Sequence, residues 1–334
     1  MTPCERLLNV FPRRSSGRPP VAAFCTAINT HMMTWAGEDF ASCRGSPEQY
    51  AKLASAPWEV YGIGNLKIPF DMTIEPELLG AGVDMGGPLT LPQVRTHPFA
   101  QPADFAIPAK WQDNERVRFT RHVLALLRKR YDKVVPVCHL CVGPFALANM
   151  LFGFDNLLVW MITEEDTYRR AMDRTTAFCV DYCRMLEAEG ADIIMFGEAS
   201  ASGDLISGEQ YAALVAPYHS QLAQAVHAPN VVHICGNITG HLPSLAGTGF
   251  GGISFDHKTD VAAAVRHCKG KLALVGYVPI PILAEGAPAQ VSAAVTACID
   301  AGVDILHAGC AWPPSVPDAN ARAFAKMPDR CPEC

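Results

Sequence analysis

The sequence has no apolar run approaching the roughly 18 residues that a membrane-spanning helix needs. Its first residues, Met1-Thr-Pro-Cys-Glu-Arg6, carry no apolar signal core, and Pro12, Arg13 and Arg14 break up the next stretch. Charge is scarce as well: 18% of the 334 residues are charged and the net charge is −6. The one short basic tract, Arg128-Lys-Arg130, suits the solvated end of a helix, where cations complement the dipole. Nucleic acid is therefore a poor candidate partner. No glycine-rich phosphate loop comes after an early apolar run, which counts against a doubly wound dinucleotide fold. The 13 cysteines are odd in number and show no framework spacing, so the expectation is reduced thiols in a cytoplasmic protein.

The chain is 49% hydrophobic, enough for one large α/β barrel or two smaller domains. Apolar runs alternate with helical patterns from end to end. Eight runs read as strands: Pro20–Cys25, Ile68–Met72, Val134–Val137, Asp192–Gly197, Val231–Cys235, Gly252–Phe255, Leu272–Val275 and Val303–His307. Between them, Glu115–Tyr131 places Thr120, Val123, Leu124, Leu127 and Tyr131 on one face. Glu164–Glu189 is a long amphipathic stretch closed by Gly190. Ser46 and Pro47 mark a helix start. Gly86–Lys110 is rich in proline and has no sustained period, so it reads as a loop over the surface. The pattern predicts a single (β/α)8 TIM barrel with an N-terminal extension and a Pro-rich excursion, in one domain over residues 1–330 with a tail at 331–334.

The chemistry gathers at Val231-Val-His-Ile-Cys-Gly-Asn237. Positions i and i+2 of a strand share a face, so His233 and Cys235 project side by side, and both are zinc ligands by type. Cys310 ends a later apolar run in Gly-Cys. Three protein ligands with a fourth position open is the zinc count of a catalytic site. In a barrel, catalytic groups come from the C-terminal ends of strands. His233, Cys235 and Cys310 meet that rule, as do Glu198 after the fourth run and Asp256 after the sixth. Either carboxylate is a candidate to orient His233. Glu198 reads equally as a helix cap, and it is also a candidate for the open zinc position before substrate arrives. Asn237 is placed either to bond substrate or to cap its turn, and Ser200 and Ser202 are further substrate-binding candidates. His307 reads as core or as a neighbour of the ligands. The pairs Cys138-His-Leu-Cys141 and Cys331-Pro-Glu-Cys334 lack partners at finger spacing and read as coincidental.

Taken together, Met1-Thr-Pro-x-Glu-Arg6, Asp71-Met-Thr-Ile-Glu-Pro-Glu-Leu-Leu-Gly80, Gly143-Pro-Phe-Ala-Leu-Ala148, Glu198-Ala-Ser-Ala-Ser-Gly-Asp204, His233-Ile-Cys-Gly-Asn237 and Gly309-Cys310 resemble the uroporphyrinogen decarboxylase superfamily. Within it they are similar to the methylcobamide:coenzyme M methyltransferase branch. The resemblance covers nearly the whole chain. It implies a barrel, zinc held by the His-x-Cys and the late Cys, a thiol acceptor such as coenzyme M, and a methylcobamide carried by a partner corrinoid protein. Two departures stand out. The arginine-rich segment that the decarboxylases carry after the first strand is Thr26-Ala-Ile-Asn-Thr-His-Met-Met here. A tetracarboxylate porphyrinogen would lack its counter-charges, which disfavours decarboxylation. The polar turn usual after the seventh strand is Gly276-Tyr-Val-Pro-Ile-Pro281, which leaves the acceptor open. Tetrahydrofolate is the competing acceptor, and a non-enzymatic corrinoid- or metal-binding module is the competing class.

Overall fold

The computed structural model describes residues 1–11 and 17–326. Its centre is a curled parallel sheet of seven strands, laid side by side in chain order. These are β1 (Leu66–Ile68), β4 (Val137–Val142), β5 (Ile193–Gly197), β6 (Asn230–Ile234), β7 (Gly252–Phe255), β8 (Ala273–Val278) and β9 (Ile305–Ala308). The sequence explains this arrangement: each strand is a short apolar run buried on both faces, and a helix or a long crossover separates it from the next. The helix Pro47–Tyr61 begins as expected, with Ser46 accepting from Gln49 N and proline in its first turn, and it stops at Gly62 with φ +71°.

Closure depends on the chain's beginning. Ala22 N donates to Leu306 O (3.0 Å) and Leu306 N to Pro20 O (2.9 Å), while Gly64 N donates to Val21 O (2.8 Å). Residues 20–22 thus sit between β9 and the approach to β1, in the eighth position of a TIM-barrel-like α/β fold. The expected strand Pro20–Cys25 is reduced there to one bridge at Val21. A side chain supplies what the missing ladder does not. The buried Asn65 accepts from Ala23 N (2.7 Å) and donates to Ala23 O (3.0 Å), so its amide mimics a strand neighbour.

Other boundaries move for identifiable reasons. The second strand is Leu66–Ile68, ahead of the expected Ile68–Met72, and it stops before Pro69, which has no N–H to donate. The third strand starts at Val137 rather than Val134, whose side chain is exposed; Asp192 Oδ2 accepts Val137 N (2.9 Å) at the strand's start. Cys138 and Cys141 therefore lie inside β4, three apart and on opposite faces. Cys138 belongs to the barrel interior and Cys141 to the layer under the helices, so the pair shares no site. Cys331 and Cys334 lie outside the described residues. The proline-rich excursion is more ordered than a plain loop. Its β3 (Gln93–Thr96) pairs antiparallel with β2 (Gly82–Asp84), and Phe99 and Phe105 pack on Phe152. The helical stretch from Gly208 includes a π-helical turn over Tyr211–Val215. No single helix among the described residues is long and apolar enough to cross a membrane.

Removing the Asn65 amide leaves two buried backbone groups of Ala23 unpaired. Asn65→Ala is expected to cost about 2–4 kcal/mol of unfolding free energy by chemical denaturation. A loss below about 1 kcal/mol would contradict the closure role.

Candidate metal centre

Strand alternation fixes which groups face the barrel interior. On β6 these are Val231 and His233, and Cys235 comes just past the strand end with the same parity. Gly236 then turns the chain at φ +77°, where a Cβ would strike Ser202 Oγ and Asp204, so only glycine fits. Cys310 arrives from the end of β9. The three donor atoms all lie within 4.8 Å of one another, with His233 Nε2 3.1 Å from Cys235 Sγ and the two sulfurs 3.5 Å apart.

The orienting partner of His233 is Ser254. Its Oγ lies 2.9 Å from His233 Nδ1, because the β6–β7 register pairs these two residues directly. A hydrogen on Nδ1, given to Ser254, leaves the Nε2 lone pair aimed at the sulfurs. Hydrogen bonds from Cys235 and from Cys25 hold the Cys310 thiol well below its ordinary range, while the bond to Cys310 and then burial push Cys235 up. Cys25 is pushed well up too, first by its bond to Cys310 and then by burial. Burial, with His233 adding, pulls His307 down to about 3, so this ring is neutral and its Nε2 accepts Cys25 N (3.2 Å). An imidazole with a fixed tautomer and two sulfurs fits zinc by chemistry.

The carboxylates occupy other positions. Gly197 faces inward, so Glu198 faces out toward the helices. There, fully buried, it accepts from Phe145 N (3.1 Å) and Ala146 N (2.8 Å) and pairs with His219 Nε2 (3.0 Å). Of its two expected roles it takes that of a cap, on the helix Pro144–Phe152, and its side chain does not orient His233. Asp256 shares the inward parity of Ser254 and lies at the mouth. Its Oδ1 accepts Lys258 N (3.0 Å) and meets His257 Nδ1 at 2.6 Å, so it does not orient His233 either. Asn237 caps its own turn by accepting from Thr239 N (3.0 Å) and Oγ1 (2.7 Å). Ser200 Oγ accepts from Asn149 Nδ2 (2.7 Å), and Ser202 Oγ accepts Asp204 N (3.1 Å) beside the Gly236 turn.

Three interior residues escaped the sequence reading. Ser254 is a single hydroxyl in an apolar strand. Cys25 ends the first apolar run just as Cys310 ends the last, and the strand-end rule that selected Cys310 was the available signal. Lys67 on β1 is buried, donates to Thr26 Oγ1 (2.6 Å) and Phe70 O (3.1 Å), and is pulled by burial to about 8.

Ser254→Ala is expected to weaken zinc binding about 10–100-fold in chelator competition, since the imidazole loses its fixed orientation. Unchanged affinity would assign Ser254 to packing alone.

A family model described as uroporphyrinogen decarboxylase (URO-D) matches residues 2–330. A methylcobamide:CoM methyltransferase of Methanosarcina mazei is 31% identical over 97% of both chains. A methylated-thiol–coenzyme M methyltransferase of the same organism is 30% identical, over 98% of this chain and 89% of its own. A solved methyltransferase structure from Methanosarcina mazei, 26% identical, superposes over 97% of both chains with a TM-score of 0.93. The chain belongs to the uroporphyrinogen decarboxylase (URO-D) family and, within it, is a methyltransferase.

Proposed function

We propose that the protein moves a methyl group from a methylated corrinoid carried by a partner protein to a thiol acceptor, coenzyme M first, at a zinc site formed by His233, Cys235 and Cys310 within one domain of residues 1–330. The observation that carries this reading is the convergence of one imidazole and two sulfurs within 4.8 Å at the C-terminal ends of β6 and β9. Both Methanosarcina relatives support the coenzyme M acceptor, and the methylcobamide:CoM methyltransferase supports the corrinoid donor. Reduced thiols in the cytoplasm suit the same ligand set.

Zinc bound by this set would act as a Lewis acid that lowers the pKa of an incoming thiol and keeps its sulfur nucleophilic at neutral pH. The chain's own residues do the positioning. Ser254 fixes the His233 tautomer, and the barrel mouth presents the acceptor sulfur toward the docked corrinoid. The sulfur supplies the electron pair of the new S–C bond. The pair of the broken Co–C bond stays on cobalt. Asn237, Ser202 and Asp256, which follow β6, β5 and β7, are the acceptor contacts in this reading, with Ser200 a further candidate. Glu198 supports the site indirectly: its backbone N–H donates to His233 O (2.9 Å) while its carboxylate anchors the helix behind.

The test combines metal analysis with an acceptor panel. The expected results are about one zinc per chain, substoichiometric and weakly held zinc in Cys310→Ala, and transfer from free methylcobalamin to coenzyme M or homocysteine. Thiol binding is expected to release about one proton in buffer-dependent calorimetry. Cys235→Ser is expected to lose thiol methylation while staying folded, because the site lies above the packed layers of the barrel. Full, tight zinc in Cys310→Ala would overturn the ligand assignment. Transfer to tetrahydrofolate without proton release would move the folate reading ahead.

A further inference from the structure

A lysine ammonium taken out of water needs an anion or a full set of acceptors. Lys67 has neither. The β1–β4 register sets it beside Cys138, so it shares the interior face, and it is only 5% exposed. Two of its three N–H groups donate to neutral oxygens, Thr26 Oγ1 (2.6 Å) and Phe70 O (3.1 Å). Among the described residues no carboxylate forms an ion pair with it, although Lys258 and Lys269 each have one. The nearest acid in the sequence, Asp71, is already spent: its Oδ1 accepts from Arg116 Nη2 (3.0 Å), Thr73 N (3.0 Å) and Thr73 Oγ1 (2.5 Å). A positive charge and one N–H are left without a partner.

The ammonium stands at the mouth, on the side of the barrel that carries Cys310. Phe70 lies just past the end of β1, and Thr26 O accepts Trp312 N (2.8 Å), two residues beyond Cys310. Only residues 20–22 separate β1 from β9, which puts those two strands about 10 Å apart at the usual spacing. The shell around the ammonium is fixed. Thr26 Oγ1 donates to Phe70 O (2.5 Å), and Phe70 N donates to the Tyr50 hydroxyl (2.7 Å). The charge is therefore held in one place before any ligand arrives.

Resting on the zinc reading above, we infer that Lys67 is a specificity-determining residue that takes the anionic head group of the acceptor, so that the site selects a short thiol carrying a sulfonate or carboxylate close to its sulfur. The acceptor is then held at two points, its sulfur at the metal and its anion at Lys67. The anion supplies the acceptor that the third N–H lacks, in a charge-assisted bond. Coenzyme M, a sulfonate two carbons from its thiol, has both the charge and the short reach. Tetrahydrofolate carries its carboxylates at the far end of a long arm, remote from its nucleophilic nitrogen.

The test compares short thiols that differ in the head group, by calorimetry on the zinc-loaded full chain. Coenzyme M and 3-mercaptopropionate carry an anion, and 2-mercaptoethanol carries none. The parent is expected to bind the two anions about 10–100-fold more tightly than 2-mercaptoethanol. Lys67→Met is expected to lose that margin while keeping its zinc and its affinity for 2-mercaptoethanol. Ethanesulfonate, which has the anion and no sulfur for the metal, is expected to compete with coenzyme M in the parent and not in Lys67→Met. Equal affinity of the parent for coenzyme M and 2-mercaptoethanol would overturn this inference alone, and that comparison needs no variant to fold. Equal weakening of both thiols in a folded, zinc-loaded Lys67→Met would overturn it as well, because Lys67 would then serve the scaffold. A parent chain that binds no zinc would overturn the metal reading, and ethanesulfonate binding that is lost in Lys67→Met would still support the anion site.

Discussion

One clasp holds the barrel shut, the parallel bridge between Val21 and Leu306. Seven strands in chain order leave two open edges, at β1 and β9. Residues 20–22 join them with three backbone hydrogen bonds, and the Asn65 amide extends the junction to Ala23. Without it the sheet would be open, and the ends of β6 and β9 would have no reason to face a common axis. The same clasp sets the height of β9 against the first segment. It therefore fixes Cys310 relative to His233, and it brings Cys25 N to His307 Nε2.

Around that axis the barrel divides its polar groups by face. Inward groups serve the site: His233, Ser254, Asp256 and His307 all share the interior parity. Outward groups serve the scaffold. Glu198, His219, Tyr211 and His241 form a buried polar layer between sheet and helices, in which His219 Nδ1 meets the Tyr211 hydroxyl at 2.9 Å and Tyr211 stacks on His241 at 4.4 Å. Tyr211 begins the π-helical turn, an irregularity of the kind that marks functional neighbourhoods. The N-terminus of Pro144–Phe152 and the backbone of His233 are both tied to Glu198, so the layer braces the strand that carries His233.

The barrel interior carries little positive charge near the first segment. Thr26 to Met33 supplies no arginine here. The interior cation is Lys67, buried and held in place by Thr26 Oγ1 and Phe70 O. The donors that converge at the mouth, one imidazole and two sulfurs, are soft ones.

The class of fold and the ligand types are legible in the order of residues alone. Alternating apolar runs and helical periods are local properties, and His233, Cys235 and Cys310 declare themselves by residue type and by position at the ends of such runs. Strand boundaries are less legible where one atom sets them, as at Pro69, which has no N–H, and at Asp192, which takes Val137 N–H. Neighbour relations across the sheet belong to the folded molecule. Ser254 rather than Glu198 or Asp256 orients His233, because register between β6 and β7 is set by pairing across the sheet. Glu198 faces away because Gly197 took the inward position. Cys25 N reaches His307 Nε2 because two segments distant in the chain run side by side. A shift of one residue along a strand reverses every face it presents, and nothing in a single run of sequence records the register its neighbour will adopt.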